Sequence, residues 1–260
     1  MLFRSPLRPP ACYFAGLDPE TGNTIVLMQD LGGEMLPNPL DISCPVEHAE
    51  DLVRRLGRFQ AAHWDAGDRH PWVASFAVGH PSPERLEAAW QMLRDNVPHL
   101  VPAGLAAQAE QLVPRVHAFR DHMTSGPLTL IHGDLRTDNL VLASGGVRVV
   151  DWQTLSWARG GLDLGFFIAQ NFSTDERRSM ERGLVQAYHQ ELLAGGVTGF
   201  DFDACWNDYR LGHLRVATMF MQAGGAGIMH GERSERLLAQ SLARVTAAME
   251  DLQPFELLSI

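Results

Sequence analysis

An α+β chain, mainly helical with a few short antiparallel strands, is predicted by three observations. Apolar residues recur at helical spacing from residue 45 to 64 and again through most of the chain after residue 162. Two pairs of short β-branched or apolar runs each flank a turn rich in glycine, asparagine or serine, the pattern of hairpins. Between the helical regions, a buried-looking strand over 128–131 runs directly into a polar loop, 132–139.

Taken in order, residues 12–16 lead to the turn Asp18-Pro19-Glu20-Thr21-Gly22-Asn23, and the β-branched run 24–28 returns from it, giving a first hairpin. Gly32-Gly33 and the proline-rich stretch to Pro45 read as a linker. The next helix places Leu52, Leu56, Phe59 and His63 on one face; further helices are expected over 83–96 and 104–123, the latter with Leu105, Leu112, Val116 and Phe119 aligned. After the strand and the polar loop, Leu140-Val141-Leu142 and Val147-Arg148-Val149-Val150 bracket a Ser144-Gly145-Gly146 turn, a second hairpin. Helices over 162–171, 174–194, 203–223 and 233–252 complete the chain; the last repeats Leu238, Leu242, Val245, Met249 and Leu252 at alternating spacings of four and three.

Composition excludes several classes. At 260 residues the chain can bury roughly 70–75% of its unfolded surface, as one large domain or one domain with a remnant of another. Hydrophobic residues make up 45% and charged ones 20%, typical of a globular protein, and no run of 18 apolar residues suggests a membrane span. Residues 1–10 lack an apolar export signal, and the three cysteines form no CxxC pair, so a reducing cytoplasm is expected and a zinc site is not. A formal charge of −10 argues against nucleic acid as a partner. The eleven histidines include no HExxH spacing.

Chemistry concentrates in 132–151. Asp134 and Asn139 lie on the loop between strand and hairpin, and Asp151 closes the hairpin, which folds back to bring Asn139 near Asp151. Phosphoryl transfer needs such groups: a carboxylate to orient a hydroxyl and accept its proton, and an amide oxygen with a second carboxylate to hold Mg²⁺. Arg136 either neutralises a transferred phosphate or pairs with a carboxylate such as Asp138. His132 is expected to support the loop through hydrogen bonds, and Asp163 to cap the helix that follows. The aromatic and methionine residues Trp206, Tyr209, Met219, Phe220 and Met221 either line a pocket or form core, with core the commoner fate at helical spacing.

His132-Gly133-Asp134, then Asn139, then Asp151-Trp152 twelve residues later resemble the aminoglycoside phosphotransferase/choline kinase family, nearest to its ecdysteroid-kinase-like branch and bacterial relatives. Asp151-Trp152-Gln153 stands where protein kinases carry Asp-Phe-Gly, and Gly161-Leu162-Asp163-Leu164-Gly165 resembles the helix start after that loop. The resemblance extends to 25–31 and 205–210. It implies a protein-kinase-like fold, transfer from ATP with Mg²⁺ to the hydroxyl of a small-molecule alcohol, Asp134 as base, Arg136 as phosphate contact, and Asn139 and Asp151 as metal ligands. It also implies that Asp163 braces the catalytic loop, and that 27–31 is an interlobe hinge where Gln29 and Leu31 contact adenine.

One feature departs from that family. All 21 basic residues are arginines. The lysine that would hold the phosphates is therefore missing, and no glycine-rich loop precedes residue 31. Neither Arg4 nor Arg8 sits in a strand context that would let it substitute. The expected organisation is a small-lobe remnant with hinge, 1–31, and a helical large lobe, 32–260, holding the catalytic loop 132–139 and a metal-binding hairpin 140–151. Three accounts of the missing lobe are open: an upstream start, a partner chain, or decay to a non-catalytic binder. A truncated form of a phosphotransferase is favoured, with a pseudokinase binding module as the alternative. An uncovered strand edge also predicts self-association or a covering partner. The acidic charge leans towards a cationic acceptor and the methionine-rich stretch towards a lipid-like alcohol.

Overall fold

The computed structural model describes residues 5–36, 43–143, 146–227 and 231–259. In chain order the elements are β1 (Cys12–Leu17), β2 (Thr24–Met28), β3 (Glu34–Met35), α1 (Val46–Ala62), α2 (Pro83–Asn96), α3 (Leu105–Met123), β4 (Thr129–Ile131), β5 (Leu140–Ala143), β6 (Gly146–Val149) and β7 (Ser156–Ala158), followed by α4 (Gly161–Asn171), α5 (Thr174–Ala194), α6 (Phe202–Gly225) and α7 (Glu232–Leu252). The expected α+β architecture with a mainly helical body is observed. Every helix lies within two residues of its predicted bounds, because each is marked by a local apolar stripe. Some ends carry explicit stops as well. Ser173 and Glu176 form a capping box that opens α5, and the Asp201 side chain accepts from the Ala204 amide at the start of α6.

Two strands were not expected. Glu34–Met35, inside the run read as linker, forms β3 and pairs antiparallel with β5, Glu34 opposite Leu142 and Met35 opposite Val141. Ser156–Ala158 forms β7 and pairs antiparallel with β4. Both are too short for an alternation to register. The remainder of the linker, 37–42, and the turn positions Ser144 and Gly145 fall outside the described residues.

The core has two apolar clusters, and α4 runs between them. Leu164, Phe167 and Ile168 pack into the cluster that includes Leu52, Leu56 and Phe59 of α1 and Leu184 and Val185 of α5. Leu162, Phe166 and Ala169 face the cluster that includes Leu112 and Val116 of α3 and Leu211 and Leu214 of α6. All of α4 is buried, as expected for a helix that is apolar around its whole circumference. It meets α6 at backbone contact: a Cβ on Gly165 would lie 2.8 Å from the Gly212 Cα, so side chains are excluded from this crossing.

The β1–β2 hairpin is built as expected, in register Leu17 to Thr24 and Gly16 to Ile25. It packs little: Leu17 is 65% exposed and Ile25 63%. Among the described residues, no helix is long and apolar enough to cross a membrane.

Candidate active site

Strand β4 ends at Ile131, and the chain then turns through His132 and Gly133 towards Asp134. Gly133 has φ +82°, and a Cβ there would lie 2.8 Å from the Thr154 carbonyl oxygen. The turn therefore requires glycine on two grounds. Gly133→Ala is expected to cost about 1–3 kcal/mol, read as a lower midpoint in chemical denaturation; an unchanged midpoint would show that the loop relaxes freely.

The loop is held from behind by α4. Both oxygens of the wholly buried Asp163 accept backbone N–H bonds, from His132 at 2.7 Å and from Gly133 at 2.7 Å, and Gln60 Nε2 donates to the same carboxylate at 3.2 Å. Burial pushes the Asp163 carboxyl above its ordinary pKa, and these donors with the nearby His132 oppose that rise. At the other end of the helix, Asn171 Oδ1 accepts from the Thr137 amide at 2.8 Å while its Nδ2 donates to Leu135 O at 3.4 Å and to Phe167 O at 2.7 Å. The helix start is capped at Gly160 without a side-chain bond, so Asp163 serves the loop and not the helix end. Capping was the plainer expectation, and the structure replaces it with the brace.

His132 takes the supporting role expected of it. Its Nε2 donates to Val150 O at 2.9 Å, Nδ1 accepts from the Asp134 amide at 3.3 Å, and the ring meets Trp152 edge-on at 4.8 Å. This uses both ring nitrogens to hold the loop.

Asp134 is half-buried in front of that frame. Asn139 Nδ2 donates to its carbonyl at 2.7 Å and to its Oδ2 at 3.2 Å. Arg136 Nε lies 3.0 Å from Oδ1, but neither atom completes an aligned hydrogen bond, so the contact is an ion pair with an unspent acceptor lone pair. Arg136 also reaches Asp138, at 3.8 Å. Of the two roles left open for Arg136, the ion pair is therefore made, and its main partner is Asp134.

Asn139 closes a short 3₁₀ turn, Thr137–Asn139, and its carbonyl accepts from the Val150 amide at 2.9 Å across the mouth of the β5–β6 hairpin. Asp151 follows directly. It is exposed, its only hydrogen bond among the described residues is a long one from Gln153 Nε2 at 3.4 Å, and its φ is +60°. A non-glycine residue in this region carries backbone strain that usually has a reason. Among the described residues, no three His, Cys, Asp or Glu side chains gather as a metal cage. Asn139 and Asp151 flank the mouth of the β5–β6 hairpin.

Gln29 and Leu31 lie at the end of β2. The Gln29 amide donates to Ala11 O at 2.7 Å and its Oε1 accepts from the Ala11 amide at 3.4 Å, so the residue preceding β1 uses both groups. Strand β3 ties this run to the hairpin: a Cβ on Gly33 would lie 2.5 Å from Leu142 O.

A cavity of about 240 Å³ opens beside the catalytic loop. It is lined by 74–80, by Gln153 to Ser156, and by Arg215 of α6. Thr154 in its wall donates to the His132 carbonyl at 2.5 Å. The aromatic run expected as a possible lining is elsewhere: Tyr209, Phe220 and Met221 are core. Sequence reasoning missed Asn171 and Arg215. Asn171 had a signal, a polar residue ending an otherwise apolar helix; Arg215 had none, because its partners are distant in sequence.

A model of the phosphotransferase enzyme family matches residues 9–201. No curated protein matches the chain in sequence. Among solved structures, the chain resembles a choline kinase from Streptococcus pneumoniae (13% identity, TM-score 0.57, covering 96% of this chain and 77% of that one). It also resembles a Plasmodium vivax ethanolamine kinase (12%, 0.55, 94% and 68%). A third is a mutant aminoglycoside 2'-phosphotransferase IIIa in complex with GDP (14%, 0.52, 96% and 75%). At these identities the likeness concerns the fold.

Proposed function

The chain belongs to the phosphotransferase enzyme family, and from that premise we propose that it transfers the γ-phosphoryl group of ATP to the hydroxyl of a small molecule. The observation that carries this reading is the Asp134 carboxylate. It is positioned by Asn139 through Oδ2 and keeps Oδ1 without an aligned donor, at the front of a loop braced by α4. Such an oxygen can hold the acceptor hydroxyl and take its proton as the new O–P bond forms and the bond to ADP breaks.

The side chains suit a magnesium ion. Asn139 Oδ1 and the exposed Asp151 carboxylate are hard oxygen donors, and two protein ligands leave room for waters and phosphate oxygens. The ion's contribution when bound is to neutralise phosphate charge. Gln29 and Leu31 are proposed to receive adenine. With the Gln29 amide committed to Ala11, the Gln29 carbonyl and Leu31 amide are the groups available among the described residues. On this reading 1–31 forms the small-lobe side of the cleft and 32–260 its floor, with β3 as the first element of the larger unit.

A second reading, a ligand binder without turnover, is favoured by one observation: the sequence contains no lysine to hold the phosphates. One experiment addresses both. Thermal unfolding with Mg·ATP at 100 times its Kd should show about 2.7 kcal/mol of stabilisation, a shift of a few degrees. Asp151→Ala should abolish the shift. A shift that ignores both magnesium and Asp151 would overturn the metal assignment, and a shift without phosphate transfer to any alcohol would establish the binder.

A further inference from the structure

The cavity beside the catalytic loop carries a charge that the protein does not balance. Arg215 makes no ion pair and no hydrogen bond through its guanidinium among the described residues. Its Nε is sealed from solvent, and the group lies over the Phe76 ring at 5.4 Å. Burial lowers its pKa, and the only carboxylate that opposes this is Asp134. His80, on the same wall, has both ring nitrogens buried without partners; its ring meets Phe76 at 5.2 Å and Phe119 at 5.6 Å. Burial and the neighbouring Arg215 pull its pKa down to about 4, so it is neutral at physiological pH. His117 and Arg120 add to the positive field there, and Arg120 is paired with Asp121. The remaining polar lining includes Ser75, Thr154 and Ser156.

A half-buried guanidinium whose Nε is sealed from solvent and unpaired carries part of the desolvation cost of a buried charge. Arginine's planar fork matches a carboxylate with two parallel hydrogen bonds, which recovers much of that cost. The cavity, about 240 Å³, has room for a small molecule.

We propose that this cavity binds the acceptor as a small hydroxy acid, its carboxylate on Arg215 and its hydroxyl directed towards Asp134. The direction of the hydroxyl rests on the phosphotransferase reading; the binding of the carboxylate does not. The acidic net charge pointed to a cationic acceptor, but the cavity lining has the opposite sign.

Calorimetric titration without nucleotide tests the proposal with three probes of similar size: glycerate, glycerol and ethanolamine. Glycerate should bind about 10- to 100-fold more tightly than the other two, the range of one charge-assisted contact. Arg215→Met should remove this preference, and it should fold, because it replaces an unpaired, poorly hydrated charge with an apolar side chain. Arg215→Lys, which keeps the charge and loses the fork, should retain a preference for glycerate over ethanolamine. Equal or tighter binding of ethanolamine or glycerol, no binding of any probe, or a preference that survives Arg215→Met would overturn it. Transfer assays separate the two readings. Phosphorylation of ethanolamine without glycerate binding refutes the hydroxy acid and keeps the phosphotransferase; glycerate binding lost in Arg215→Met, without transfer to any alcohol, does the reverse.

Discussion

Asp134→Asn is expected to lower phosphate transfer by about 10²- to 10⁴-fold, the usual contribution of a general base. The substitution keeps shape and removes the proton acceptor. What the fold loses is local: the ion pair with Arg136, itself also served by Asp138, and one hydrogen bond from Asn139 at 3.2 Å. The pair is mostly buried, so the substitution is expected to cost about 1–3 kcal/mol, a fall in melting temperature of roughly 2–12 °C. Steady-state turnover and thermal unfolding measured on the same preparation decide the matter. Turnover within a factor of about two of the parent would remove Asp134 from the chemistry, since a general base contributes far more than that.

Asp163→Asn is expected to have the larger effect on stability, about 2–5 kcal/mol. Both carboxylate oxygens accept from backbone amides, so an asparagine must aim its NH₂ at one of two buried N–H groups whichever way it turns. In a chain of this size that loss lowers the melting temperature by roughly 5–15 °C. Turnover at a temperature where the variant remains folded should also fall, because His132 and Gly133 set the direction in which Asp134 leaves the frame. A variant that melts with the parent would mean that the brace is dispensable.

The contrast between these two aspartates follows what a sequence can disclose. Asp134, Asn139 and Asp151 lie within one strand–loop–hairpin unit, so their spacing alone suggested that they converge, and the Val150–Asn139 hydrogen bond closes that hairpin mouth at 2.9 Å. The helices were legible for a similar reason: an apolar stripe is local. Contacts made across the fold were not. The brace from Asn171 spans more than thirty residues to Thr137, and its polar side chain inside an apolar helix was a clue without an address. Strand β7 has meaning only opposite β4, and β3 only opposite β5. Arg215 was the least legible, since an arginine in a helix ordinarily extends its head to solvent. Only the packing of 74–80 over α6 shows that this one does not.

The glycine crossing of α4 and α6 has a consequence for how such a protein can diversify. The loop that carries Asp134 hangs from one of these helices and Arg215 from the other, and with backbone against backbone at Gly165 and Gly212 the two cannot slide independently. The spacing between Asp134 and Arg215 is therefore a fixed gauge. The 74–80 segment forms the opposite wall without belonging to either helix, and it can be lengthened, shortened or recoloured with the gauge unchanged. On the proposed reading, acceptors of a different shape are reached most cheaply by rewriting that wall, while a change of charge preference passes through position 215 itself.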